Sequence, residues 1–168
     1  MKRLLILAAA VALLSLPIEG IPVAGYVRGI GGELSVTTLL LLASAIVAFA
    51  GGPKLYDREE LETLAAFVLF GAAFLYPMAL GLTSFDPYAL GFPARIRVFL
   101  LALAPVAVFA WFRGRLLLLF AIVLGLAAFR FELLESRNLW DYLLDPWLTL
   151  SMLYWAGFTI FARFSKSR

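Results

Sequence analysis

The chain has 168 residues, 64% hydrophobic and 15% charged, with a net charge of +3 and a mean hydropathy of +0.98. A soluble domain is nearer half apolar and a quarter charged, and a domain this small cannot hide so much apolar surface in its own interior. The chain has neither Cys nor His, which excludes disulfides, thiolate nucleophiles, thiol redox chemistry and Cys/His ligation of zinc or haem.

Long, uncharged apolar runs predict an all-α fold. It is a polytopic membrane helix bundle of about six transmembrane helices, one integral membrane domain over residues 1–168. Lys2 and Arg3 followed by Leu4 to Leu16 have the charge and apolarity of a signal peptide. Pro17-Ile18-Glu19-Gly20-Ile21-Pro22 stands where a small-x-small cleavage site belongs, so the expectation is an uncleaved first helix ending near Pro17. Glycine-rich residues 18–35 read as a loop. Val36 to Ala50 is the second run, stopped by Gly51-Gly52-Pro53.

Asp57 and Glu60, three residues apart, form a capping box that opens a third helix running to about Gly81, with Pro77 a kink. Residues 83–95 are a loop, and Ile96 to Phe112 a fourth helix containing Pro105. The tight turn Arg113-Gly114-Arg115 sends a fifth helix back from Leu116 to about Phe131. Residues 132–144 mix leucines, Trp140 and Tyr142 with charges, and predict a short helix lying at the interface before the last span. Asp145 as N-cap and Pro146 at the first helical position open a sixth helix to about Phe161. Several runs fall short of the ~20 residues that cross a ~30 Å core. Interfacial residues or a locally thinned bilayer can make up the difference, and the first two runs leave open a re-entrant pair.

Bases set the orientation. With both termini cytoplasmic, Lys2, Arg3, Lys54, Arg58, Arg113, Arg115, Arg163, Lys166 and Arg168 lie inside, and Arg28, Arg95, Arg97, Arg130 and Arg137 outside. This predicts a multi-pass protein of the bacterial inner membrane and gives the bases a topological role in place of nucleic-acid binding. Trp111, Trp140, Tyr142, Trp147 and Tyr154 sit near span ends, as an aromatic belt would.

No Asp, Glu, Lys or Arg falls in the middle of a predicted span, which disfavours a small-solute transporter built on proton relays or coupling ions. Polar residues gather instead at the outer face: Arg28, Glu33, Asp86, Arg95, Arg97, Arg130, Glu132, Glu135, Arg137 and Asp141. The arginines suit phosphate or carboxylate, and the carboxylates a cation or a partner's bases. Ordinary interfacial ion pairs are the plainer account of any one of them. Glu132/Glu135 and Asp141/Asp145 have helix-face spacing but show nothing of the split environments that acid–base catalysis needs. No catalytic, metal or cofactor residue is assigned.

Two stretches, Arg28-Gly29-Ile30-Gly31-Gly32-Glu33-Leu34-Ser35 and Arg130-Phe131 through Arg137-Asn138-Leu139-Trp140-Asp141-Tyr142-Leu143, resemble the membrane-embedded part of lipoteichoic-acid-synthase-like phosphoglycerol and phosphoethanolamine transferases. Those enzymes react in a large metal-binding extracytoplasmic domain that this sequence does not contain. The resemblance therefore implies a membrane module and transfers no catalytic residue. The expected function is a non-enzymatic accessory subunit of an envelope lipid or glycan machine. Its expected partners are membrane lipids and another membrane protein or a second copy. The alternative is an enzyme or carrier for a lipid-linked substrate.

Overall fold

Caps and breakers set most of the helix boundaries. The computed structural model describes residues 2–82 and 84–166; Thr83, and Arg168 of the basic tail, lie outside the described residues. The chain is mostly helical: α1 Lys2–Ser15, α2 Val23–Gly31, α3 Val36–Ala50, α4 Arg58–Ala79, α5 Ile96–Phe112, α6 Leu116–Arg130, α7 Leu139–Leu143 and α8 Pro146–Lys166. Asp57 and Glu60 make the expected capping box on α4, at 2.8 and 3.3 Å. Gly51, at φ +101°, ends α3. Pro77 falls in the last turn of α4, two residues before the helix stops.

Two segments depart from expectation. Residues 18–35 are not simply a loop. Glu19 and Gly20, both at positive φ, form a two-residue turn between the short antiparallel strands β1 Pro17–Ile18 and β2 Ile21–Pro22, and α2 follows directly. Positive φ at both turn positions is what the twist of a tight hairpin requires. Of the segment 132–144 only Leu139–Leu143 is helical, and Leu139, Trp140, Tyr142 and Leu143 are buried in the protein. Trp140 and Tyr142 consequently leave the aromatic belt, whereas Trp111, Trp147 and Tyr154 are exposed.

The core lies where α4, α5, α6, α7 and α8 meet, around Leu64, Val68, Leu118, Ile122, Tyr142 and Leu148. Close approach there depends on glycine. A Cβ on Gly125 of α6 would lie 2.6 Å from Leu143, and one on Gly71 of α4 2.9 Å from Leu144. Ala121 and Gly125, one turn apart on α6 and both buried, thus make room for α7, while α1 has no buried residue. Ser44 donates to the Leu40 carbonyl in the preceding turn, and Thr149 to that of Asp145, as hydroxyls in helices do.

At one end of the bundle Arg115 pairs with Glu59, and Glu62 with both Arg58 and Arg163, joining the starts of α4 and α6 to the end of α8. Arg3 lies 6.0 Å from the Phe49 ring at the same end of α3. The accessible surface is 11470 Å², against roughly 8,200 Å² for a soluble monomer of this mass by the usual scaling. Large apolar side chains make up much of the excess, among them Phe70, Leu80, Leu101, Phe112 and Phe161, each more than two-thirds exposed. By length and composition one helix, α4, is long and apolar enough to cross a membrane; α3, α5 and α6 are apolar but shorter, about 22–26 Å at the helical rise.

Candidate functional site

The polar residues expected at the outer face sort into three groups. In the first, Arg28 at the end of α2 donates to Glu33 at 2.5 Å and to Glu135 at 2.6 Å. The Glu135 backbone N–H donates to the other Glu33 oxygen at 2.7 Å. Three chain segments are tied together at this point. Trp147 at the start of α8 adds a bond from its indole N–H to the Gly31 carbonyl, 2.8 Å.

The second group surrounds α7. Asn138 is fully buried; it caps α7 by accepting from the Trp140 N–H at 3.0 Å and donates to the Tyr88 carbonyl at 2.8 Å. The Trp140 indole donates to the Pro87 carbonyl at 2.9 Å, and its ring stacks on Phe99 with centroids 4.3 Å apart. Asp141 accepts from the Tyr88 hydroxyl at 2.7 Å and from the Ser136 hydroxyl at 2.5 Å. Burial first, then the hydrogen bond to Asp141 and its charge, push the Tyr88 hydroxyl up to about 12. Asp145, also buried, caps α8 through the Leu148 N–H at 2.8 Å, and accepts from the Ser35 N–H at 2.9 Å and from the Thr38 hydroxyl. Asp86 caps the 3₁₀ turn Tyr88–Gly91 by accepting from the Tyr88 N–H at 2.9 Å.

The third group is unpaired. The side chains of Arg95, Arg97, Arg130, Glu132 and Arg137 are exposed and make no ion pair or hydrogen bond among the described residues. Arg130 therefore does not pair with Glu132, Glu135 or Glu33.

Neither carboxylate pair acts as one. Glu135 goes to Arg28 while Glu132 turns away at φ +49°, and Asp141 and Asp145 take separate donors. Among the described residues no group of three or more carboxylates could hold a metal ion.

Two clefts open among these residues. One, about 590 Å³, is lined by Tyr76, Tyr88, Ser136, Asp141, Asp145 and Glu33. The other, about 640 Å³, is walled by Ala24, Val27, Ile30, Leu34, Leu39, Leu134 and Trp147, with Arg28 and Glu33 also in its lining. Glu33 belongs to both. Sequence reasoning singled out Glu33 and Asp141 and placed Asn138 in the second motif stretch, but missed Tyr76, Tyr88 and Ser136. For Tyr76 the sequence carried no signal. No family model matches the chain, and no curated protein or solved structure is similar to it.

Proposed function

We propose that this chain is a multi-pass protein of the bacterial inner membrane, with six crossings and both termini cytoplasmic. In this reading it is a non-enzymatic accessory subunit whose extracytoplasmic face supports an envelope lipid or glycan assembly machine. Support for the membrane comes from the excess accessible surface and its apolar character, since soluble monomers rarely expose large apolar patches. Support for the orientation comes from the ion-paired basic end, which gathers Arg3, Arg58, Arg115 and Arg163. The short helices α3, α5 and α6 cross by thinning the bilayer around them.

One observation carries the accessory role: the buried carboxylate Asp145 and the half-buried Asp141 are spent on holding loops together, while Arg95, Arg97, Arg130 and Arg137 stand on the same face without a partner. A rigid platform that presents unsatisfied planar cations suits docking to anionic groups. The likeness of the two motif stretches to the membrane part of phosphoglycerol and phosphoethanolamine transferases gives such a platform a setting, as a module beside an envelope enzyme. A second reading, a carrier or enzyme for a lipid-linked substrate, is favoured by the apolar cleft adjoining the polar one through Glu33.

The absence of native Cys makes single-cysteine labelling clean. Cysteines replacing Lys54, Asp86, Arg113 and Arg137 should label from inside, outside, inside and outside. Co-purification from native membranes should then return a stoichiometric protein partner that Arg95→Gln/Arg97→Gln releases. An inverted labelling order overturns the topology, and a retained lipid-linked glycan without a protein partner favours the carrier.

A further inference from the structure

We propose that Arg130 and Arg137 together bind the phosphate of an anionic phospholipid headgroup. The site is a hollow of about 270 Å³ between the end of α6 and the loop that follows it. The inference rests on the membrane reading above and assigns two of the four unpaired arginines to lipid, leaving Arg95 and Arg97 for a protein partner.

The hollow is built on rigid backbone. Arg130 is the last residue of α6. The chain reverses at Glu132, whose φ of +49° sits in the left-handed region, and this brings Arg137 back to the same hollow. The loop is pinned from below by Tyr142. Its buried hydroxyl accepts from the Leu134 N–H at 3.2 Å and donates to the Ser136 carbonyl at 3.0 Å, and its ring meets Phe129 edge-on at 5.4 Å. Both arginines therefore line one hollow on a backbone that is fixed before any ligand arrives, and such pre-organisation of the loop lowers the cost of binding. Nothing within the described chain occupies them, because Glu33, Glu135 and Asp141 are committed to other donors.

Charge and apolar surroundings select the ligand. Glu132 also lines the hollow, so its net charge is that of two arginines less one carboxylate. That balance matches the single negative charge of a phosphodiester better than it matches dianionic inorganic phosphate. Phe131 and Leu133, on either side of Glu132, are about 70% exposed and offer apolar contact beside the cations. An acyl glycerol uses such contact; a free phosphate ion does not.

The test is lipid retention by the full-length protein in nanodiscs of phosphatidylglycerol and phosphatidylcholine, followed by native mass spectrometry. Wild type should keep one phosphatidylglycerol in preference to phosphatidylcholine. Arg130→Gln and Arg137→Gln should each weaken that retention on the order of tenfold or more, the size of one charge-assisted hydrogen bond. Arg95→Gln, outside the hollow, should leave it unchanged, and Arg130→Lys should restore part of it. The proposal is overturned if the double glutamine variant retains the lipid as wild type does, if millimolar inorganic phosphate displaces it, or if only a co-purified acidic protein is lost. Failure of the membrane reading shows separately, as recovery of wild type in the soluble fraction without detergent.

Discussion

The first helix and the seventh invert the usual relation between hydrophobicity and burial. α1, almost wholly aliphatic, has no buried residue, and Leu4, Leu5, Ile6, Val11 and Leu13 are all more than half exposed. α7 is a five-residue turn carrying an aspartate and a tyrosine, capped by an asparagine, and four of its five residues are buried. On the membrane reading this arrangement follows from the solvent: lipid tails are as apolar as leucine, so burying an aliphatic helix in protein gains little. A polar, irregular segment at the same depth must instead find its hydrogen-bond partners inside the protein. The same logic explains why α7 is held by specific contacts while α1 buries no residue.

The largest effect should come from substitutions that test how tightly the α7 segment fits. A Cβ on Gly91 would lie 1.8 Å from the Asn138 side-chain oxygen. Gly91→Ala must displace a buried residue that both caps α7 and bonds to the Tyr88 carbonyl. A loss of about 3 kcal/mol or more is expected, the sum of overpacking and buried groups left unsatisfied. Gly29→Ala in α2, where nothing lies within 4 Å, should leave thermal unfolding in detergent unchanged or slightly raised. Equal behaviour of the two variants would erase the contrast between the regions.

Next in size is Asp145→Ala. It removes the α8 cap together with the acceptor for the Ser35 N–H and the Thr38 hydroxyl. A loss of about 2–3 kcal/mol is expected from a lost cap plus stranded donors. Protease sensitivity should rise first between α2 and α3, the junction that Asp145 holds. If the lesion spreads instead to the Arg115 end, Asp145 does not act locally.

The smallest effect concerns Tyr88, whose hydroxyl is raised from 10.0 to about 12. A raised value in the folded state means the native protein holds its proton longer than the unfolded chain does. This contribution to stability is complete below pH 10 and is lost as pH climbs towards 12. Tyrosinate absorbance should show a late-titrating component that Tyr88→Phe diminishes. Asp141→Asn should move it down, since the Asp141 hydrogen bond and charge are among the causes of the rise. A titration unchanged by Asp141→Asn would detach the 3₁₀ turn from α7.

Much of the helix layout was legible because its signals are local. The Asp57–Glu60 capping box, the Gly51 stop, the Asp145-Pro146 start and the bounds Ile96–Phe112 all follow from residues within one turn of each other. The hairpin at 17–22 was missed because its turn places Glu19, a residue with a Cβ, at positive φ. The burial of the short helix was not foreseen because mixed polar and apolar residues at the end of an apolar run read equally well as an interfacial face and as a satisfied, buried plug.

By itself the sequence determined a mostly helical chain and its breakpoints, because caps and prolines act over a few residues. Only the tertiary structure decided which polar residues are partnered. Arg28 meets Glu135, 107 residues away, and Asp145 meets Ser35, 110 residues away; such pairings depend on how the helices pack, on Gly71, Gly91 and Gly125 letting α7 into the bundle. What those contacts leave over is four unpaired arginines on one face, and no local pattern distinguishes an arginine with a distant partner from one without.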